Sequence, residues 1–247
     1  MAFHRFLDIK FHDRARQHRG KDARVSGIMA RRKTALTILF IVLAVTVIWA
    51  TIDLWGQRTT NLRQFDPDDV ARRETEMWRS YYDKERVRLF GEMAGLLRQQ
   101  YRMPLLRSYV VGFHAAKAAF VFKEGKERSD YEKALPDLQD YYSAIRRISD
   151  TPFDIDKASR LELEWWIIHR QRVSHPPGDL DNALAELAGE LYQMPAERFQ
   201  EHGKYRAEAM TIRDDQAERG GVRETDWQQI DNLLHRSWRS LWQVVNH

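Results

Sequence analysis

Glu162, Trp166 and His169 stand at i, i+4 and i+7, so on a helix they share one face and bring a carboxylate and an imidazole together. Those are the residue types of acid–base chemistry, and with a third titratable neighbour they would form a catalytic or ligand cluster. The sharper alternative for helices is a carboxylate-bridged di-metal centre, which needs Glu-x-x-His on two of them. The residues three positions before His114, His169, His175, His202 and His235 are Val111, Trp166, Arg172, Phe199 and Asn232. None is Glu, and HExxH, Gly-x-Ser-x-Gly, the P-loop and the dinucleotide fingerprint are also absent. The chain has no Cys, which removes disulfides, thiolate metal sites and Cys nucleophiles. No metal or cofactor is expected. Glu162 and His169 remain the catalytic candidates of an otherwise motif-free chain.

Other polar residues interrupt apolar stripes. Glu74 lies on the line Val70–Glu74–Met77–Tyr81, and Lys117 on Val110–Phe113–Lys117–Phe120 with His114 beside it. His202 and Arg206 share an edge further along. Buried charges need partners, so these are read first as ion pairs that fix how helices register. If helices on either side of Pro104 run antiparallel, Glu74 and Lys117 are ~25 Å out of register. Glu92, or an acid from a third helix, is then the partner expected for Lys117. The doublets Tyr81-Tyr82, Tyr141-Tyr142 and Trp165-Trp166 point about 100° apart on a helix and cannot form one cage wall, so they read as core.

The elements that must hold these residues are helical. Asp66-Pro67-Asp68-Asp69 starts a first helix that the apolar spacing carries to about Tyr101. Pro104 opens a second, ended by Gly125, and a third covers about 130–148. A fourth, apolar all round at Trp165-Trp166-Ile167-Ile168, follows the turn at 150–156. Pro176-Pro177-Gly178 precedes a fifth with the stripe Leu180, Ala183, Leu184, Leu187, Leu191. Pro195 starts a sixth, and Thr225 is placed as the cap of a seventh. No segment alternates as a strand does. The expected fold is all-α: one N-terminal transmembrane helix, then an irregular bundle of about seven helices, with repeat-like helical hairpins as the alternative arrangement.

Gly178, Ala183, Leu187, Leu191 and Pro195 stand at offsets that resemble the second half of a tetratricopeptide repeat. A shorter echo is Gly125 followed by Tyr131-Glu132-Lys133-Ala134-Leu135. The resemblance implies stacked helical hairpins with a concave face for binding proteins. Ala134 and Ala183 are further apart than the repeat's period, and Glu190 stands where the repeat has a small residue.

The address is written at the front of the chain. Thr34–Ile52 carries no charge, Pro or Gly and would extend ~28 Å as a helix, enough to cross a bilayer. Arg31, Arg32 and Lys33 precede it, and Trp49 and Trp55 mark the far interface. Residues 1–33 hold ten Lys or Arg against three Asp, and six cations flank the near side of the span against two beyond it. That asymmetry predicts a cytoplasmic N-terminus and an extracytoplasmic, periplasmic domain. The run exceeds the apolar core of a cleaved signal, so it reads as a signal anchor. The organisation is then a basic arm (1–33), the anchor (34–55), a linker (56–66) and a helical domain (67–247). Met29 begins MARRK followed by the span, which is itself a sufficient anchor signal. The domain is slightly acidic and lacks a sustained basic stripe, so nucleic acid is not an expected partner. The expected partners are the bilayer and another membrane or extracytoplasmic protein. The expected function is that of a scaffold or accessory subunit; a small-molecule or lipid sensor and an enzyme using Glu162 and His169 are the alternatives.

Overall fold

The computed structural model describes residues 31–247. The basic arm up to residue 30, including Met29, lies outside the described residues. The chain divides into two units, one ending at Ile52 and the other comprising Asp53–His247.

Helix α1 (Arg31–Trp55) is long and apolar enough to cross a membrane, and none of its most apolar window is buried. Its Thr37, Thr46 and Thr51 hydroxyls donate to the carbonyls of Lys33, Val42 and Val47, at 3.0, 2.8 and 2.8 Å. These side chains therefore need no partner from outside the helix, as lipid requires. Arg31, Arg32, Lys33, Trp49 and Trp55 are exposed along it.

The second unit is all-α, with no strand among the described residues. Its helices are α2 (Pro67–Tyr82), α3 (Arg86–Tyr101), α4 (Leu105–Glu124), α5 (Arg128–Tyr131), α6 (Leu135–Ile148), α7 (Ile155–Arg170), α8 (Asp179–Tyr192), α9 (Gln200–Glu218) and α10 (Glu224–Asn246). The start at Asp66 is as expected: its carboxylate accepts from the amides of Asp68 and Asp69, with Pro67 in the first turn. The single helix expected over 67–101 is broken into α2 and α3. Lys84 adopts a left-handed conformation, φ 61°, and the Glu85 amide returns to the Ser80 carbonyl at 2.9 Å. Asp83-Lys84-Glu85 contains neither Gly nor Pro, so nothing in its composition marks the break. Thr225 lies inside α10, whose cap is Arg223 paired with Asp226.

Each long helix packs on the next long one in sequence, and α10 packs back on α2, so the succession closes on itself. A stack of tetratricopeptide hairpins would leave its first and last helices apart. Gly178, φ 97°, makes the turn before α8, whose Ala183, Leu184, Leu187, Ala188 and Leu191 are buried. Gly203 on α9 lies so close to the backbone carbonyl of Asp181 that no Cβ fits between them. Residues 56–66, expected as a linker, are docked instead. Leu62 and Phe65 are buried, and Thr60 pairs with the segment after α6, where its amide donates to the Ile148 carbonyl and its carbonyl accepts from Asp150.

Candidate functional site

The closed ring of helices places a polar centre among its aromatic side chains. Glu74 of α2 is fully buried and accepts from Arg206 Nε and Nη2 of α9, at 3.0 and 2.6 Å, and from Trp238 Nε1 of α10, at 2.6 Å. Burial alone would depress the Arg206 guanidinium, but Glu74 and Glu162 outweigh it and hold its pKa above the usual arginine value. The guanidinium also lies over the Trp165 ring, 5.4 Å from its centroid. Glu162 of α7 accepts from Tyr142 Oη at 2.7 Å and Trp166 Nε1 at 2.9 Å. Burial drives the Tyr142 hydroxyl well above the ordinary phenol range, reinforced by the Glu162 charge, so it stays a donor. Every oxygen of these two carboxylates has a donor, a network that locks α2, α6, α7, α9 and α10 in one arrangement.

His169 does not join Glu162. The two side chains are two turns apart on α7, and their partners differ. His169 Nε2 lies 3.0 Å from Asp214 Oδ2 on α9, where Arg172 (3.5 Å) and Arg213 (2.5 Å) also reach that carboxylate. Burial works against the Asp214 charge, but His169 and the two arginines prevail and hold its pKa below the usual carboxylate range. An acid surrounded by cations and an imidazole pinned to it form an interhelical clasp.

The remaining candidates fall at other joints. Glu92 lies 3.8 Å from Arg73, joining α3 to α2, and does not meet Lys117. Lys117 Nζ donates to Asp137 Oδ1 of α6 at 2.9 Å, so the partner is the third-helix acid. His114 stands beside the same carboxylate. The stripe carrying Lys117 is not a core stripe. Val110, Phe113 and Phe120 are 49%, 58% and 57% exposed, and Tyr109 is exposed beside them. The buried side of α4 consists of Arg107, Ser108, Val111, Gly112 and Ala118. Its small residues let α4 approach α3 closely, with the space beside Gly112 bounded by Met93, Ala94 and Leu97. The large side chains are left facing out. Periodicity located the stripe, but residue size decided which face went inward.

The N-terminus of α4 has an unusual cap. Pro104 offers no side-chain acceptor, and Asp53 supplies one from a distance: its carboxylate accepts from the amides of Leu105, Leu106 and Arg107 at 3.1, 2.9 and 3.2 Å. Arg107 completes the joint by donating to the carbonyls of Asp53 and Gly56. Asp53, the first residue of the second unit, thereby satisfies the free amides of the first turn of α4.

Two open grooves of about 440 and 450 Å³ run along α7 and the end of α8, with Lys157, Arg160, Glu186 and Glu190 among their lining residues. Neither is a closed apolar cavity. No family model, curated protein or solved structure matches the chain.

Proposed function

We propose that this chain is a membrane-anchored scaffold or accessory subunit whose outward α4 face binds an apolar helix of another membrane protein. The observation that carries the reading is the exposure of Tyr109, Val110, Phe113 and Phe120 along one side of one helix. Solvent-facing aromatic and aliphatic side chains in contiguous array mark interaction surfaces. The apolar run of α1, long enough to cross a bilayer, supports a partner that is itself in or at the membrane. The six-to-two cation asymmetry around that run supports an N-terminus in the cytoplasm, α1 as an uncleaved signal anchor, and an extracytoplasmic domain. Separate partners for Glu162 and His169 weigh against an enzyme built on that pair.

Two measurements test this. A reporter enzyme active only outside the cytoplasm, fused after His247, is expected to work; activity only of a cytoplasmic reporter reverses the orientation. A photo-crosslinking residue at position 113 in intact membranes is expected to give one discrete protein adduct, removed by Val110→Glu. The same probe at the exposed Val173 serves as control and is expected to give none. Adducts to lipid alone at position 113 would replace the protein partner with the bilayer.

A further inference from the structure

His114 on α4 faces two carboxylates one turn apart on α6. Its Nδ1 lies 3.7 Å from Asp137 Oδ1 and 3.6 Å from Asp140 Oδ2. One donor atom from each of the three residues lies within 4.8 Å of the others. These separations are too long for hydrogen bonds. Nδ1 is nevertheless closed off from solvent and has no hydrogen-bond partner. The His114 side chain is 28% exposed, yet this nitrogen is turned inward toward the two carboxylates, so the three groups converge on one point. Two ligand atoms each ~2.1 Å from a common ion at a tetrahedral angle stand ~3.4 Å apart, so a contraction of a few tenths of an ångström turns both spacings into coordination edges.

We propose that His114, Asp137 and Asp140 bind a divalent first-row transition ion, with Zn²⁺ the best fit, and that the ion clips α4 to α6. One imidazole with two carboxylates suits Zn²⁺ better than Ca²⁺, which takes six to eight oxygens. Three protein donors leave a remaining position for water. The set escapes a search for Glu-x-x-His because its carboxylates are spaced Asp-x-x-Asp on one helix and its imidazole comes from another. Lys117 gives the site a signature of its own. Its ammonium donates to the same Asp137 oxygen the ion needs, while its side chain is 56% exposed on a flexible stem. It therefore competes with the ion and swings into solvent when the ion binds.

The test uses the full chain in mild detergent, stripped with a chelator and titrated with Co²⁺ followed by visible absorption, with Zn²⁺ as competitor. One Co²⁺ per chain, displaced by Zn²⁺, is expected. His114→Ala should weaken binding at least ~100-fold, more than the loss of an outer-shell partner does. Asp140→Asn, at an exposed position, should weaken it at least tenfold with the fold intact by circular dichroism. Lys117→Met should tighten it several-fold, a gain that a merely structural lysine would not produce. Absence of stoichiometric Co²⁺ binding, or binding indifferent to both His114→Ala and Asp140→Asn, overturns the site. Weaker binding by Lys117→Met overturns the competition.

Discussion

Lowering the pH from 7.5 to 5 should destabilise the domain through His202. This imidazole is 4% exposed and sits between α9 and α10. Its Nδ1 lies 2.8 Å from Ser237 Oγ, which donates in turn to the His202 carbonyl at 2.9 Å. Burial, with the Arg206 charge nearby, lowers its pKa from 6.5 to about 3. In the unfolded chain it titrates near the ordinary value. Between those two values the unfolded state binds a proton that the folded state refuses, so stability falls as the pH drops through this window. At pH 5 the unfolded histidine lies about 1.5 units below its pKa, and at 1.36 kcal/mol per unit the loss is about 2 kcal/mol. Asp214 and Glu190, whose folded pKa values are lowered, act in the same direction but in a lower window. Their contribution is intact above the unfolded carboxylate range and fades beneath it. The assay is urea unfolding of the full chain in mild detergent at both pH values, followed by tryptophan fluorescence, for wild type and His202→Gln. Gln keeps a polar partner for Ser237 and removes the titration. The wild type should lose about 2 kcal/mol more than the variant. A difference under ~0.5 kcal/mol would refute the buried neutral imidazole.

Two further substitutions probe the packing itself. Gly203→Ala forces a methyl against the Asp181 carbonyl and should cost about 2–3 kcal/mol in urea unfolding, whereas Gly91→Ala, open to solvent on α3, should gain about 0.5–1 kcal/mol. Glu74→Ala leaves the Arg206 guanidinium without its buried partner and should cost about 3–5 kcal/mol. The double variant Glu74→Met/Arg206→Met should recover most of that loss; a double variant as unstable as the sum of the two singles would show that no coupling exists.

Helix punctuation was legible from the sequence because caps and breakers act locally. Asp66-Pro67, Pro104, Gly178 and Pro195 each stand at a boundary the structure confirms. The break at Lys84 was not, because a charged residue in the left-handed region is decided by how α2 and α3 pack rather than by its own preference. The faces of α4 were misassigned for a related reason: alternation of large apolar residues shows a stripe but not which side has a neighbour. Of the site residues, the individual polar intrusions were visible and their partners were not. Glu74 meets Arg206, Lys117 meets Asp137 and His169 meets Asp214, each on a different helix. Glu190, out of place in a tetratricopeptide pattern, accepts from the Asp154 amide and from Lys157, tying α8 to the start of α7.

On the proposed reading, a membrane anchor and the exposed α4 face would complement each other energetically. Val110, Phe113 and Phe120 are each about half exposed, so covering them gains about 3 kcal/mol at the usual value for burying large apolar side chains. Association from bulk solution costs at least ~4 kcal/mol in lost translational and rotational freedom. A face this small is therefore too weak to capture a freely diffusing partner. Confinement to the same membrane raises the effective concentration and removes much of that cost. The proposed interaction should consequently depend on membrane attachment and not on the sequence of the span. Replacing residues 34–52 with an unrelated single span should preserve the crosslink from position 113. Residues 53–247 released from the membrane, with helicity verified by circular dichroism, should lose it. If the released domain still binds its partner with submicromolar affinity, the outward face of α4 cannot be the contact that holds the two together.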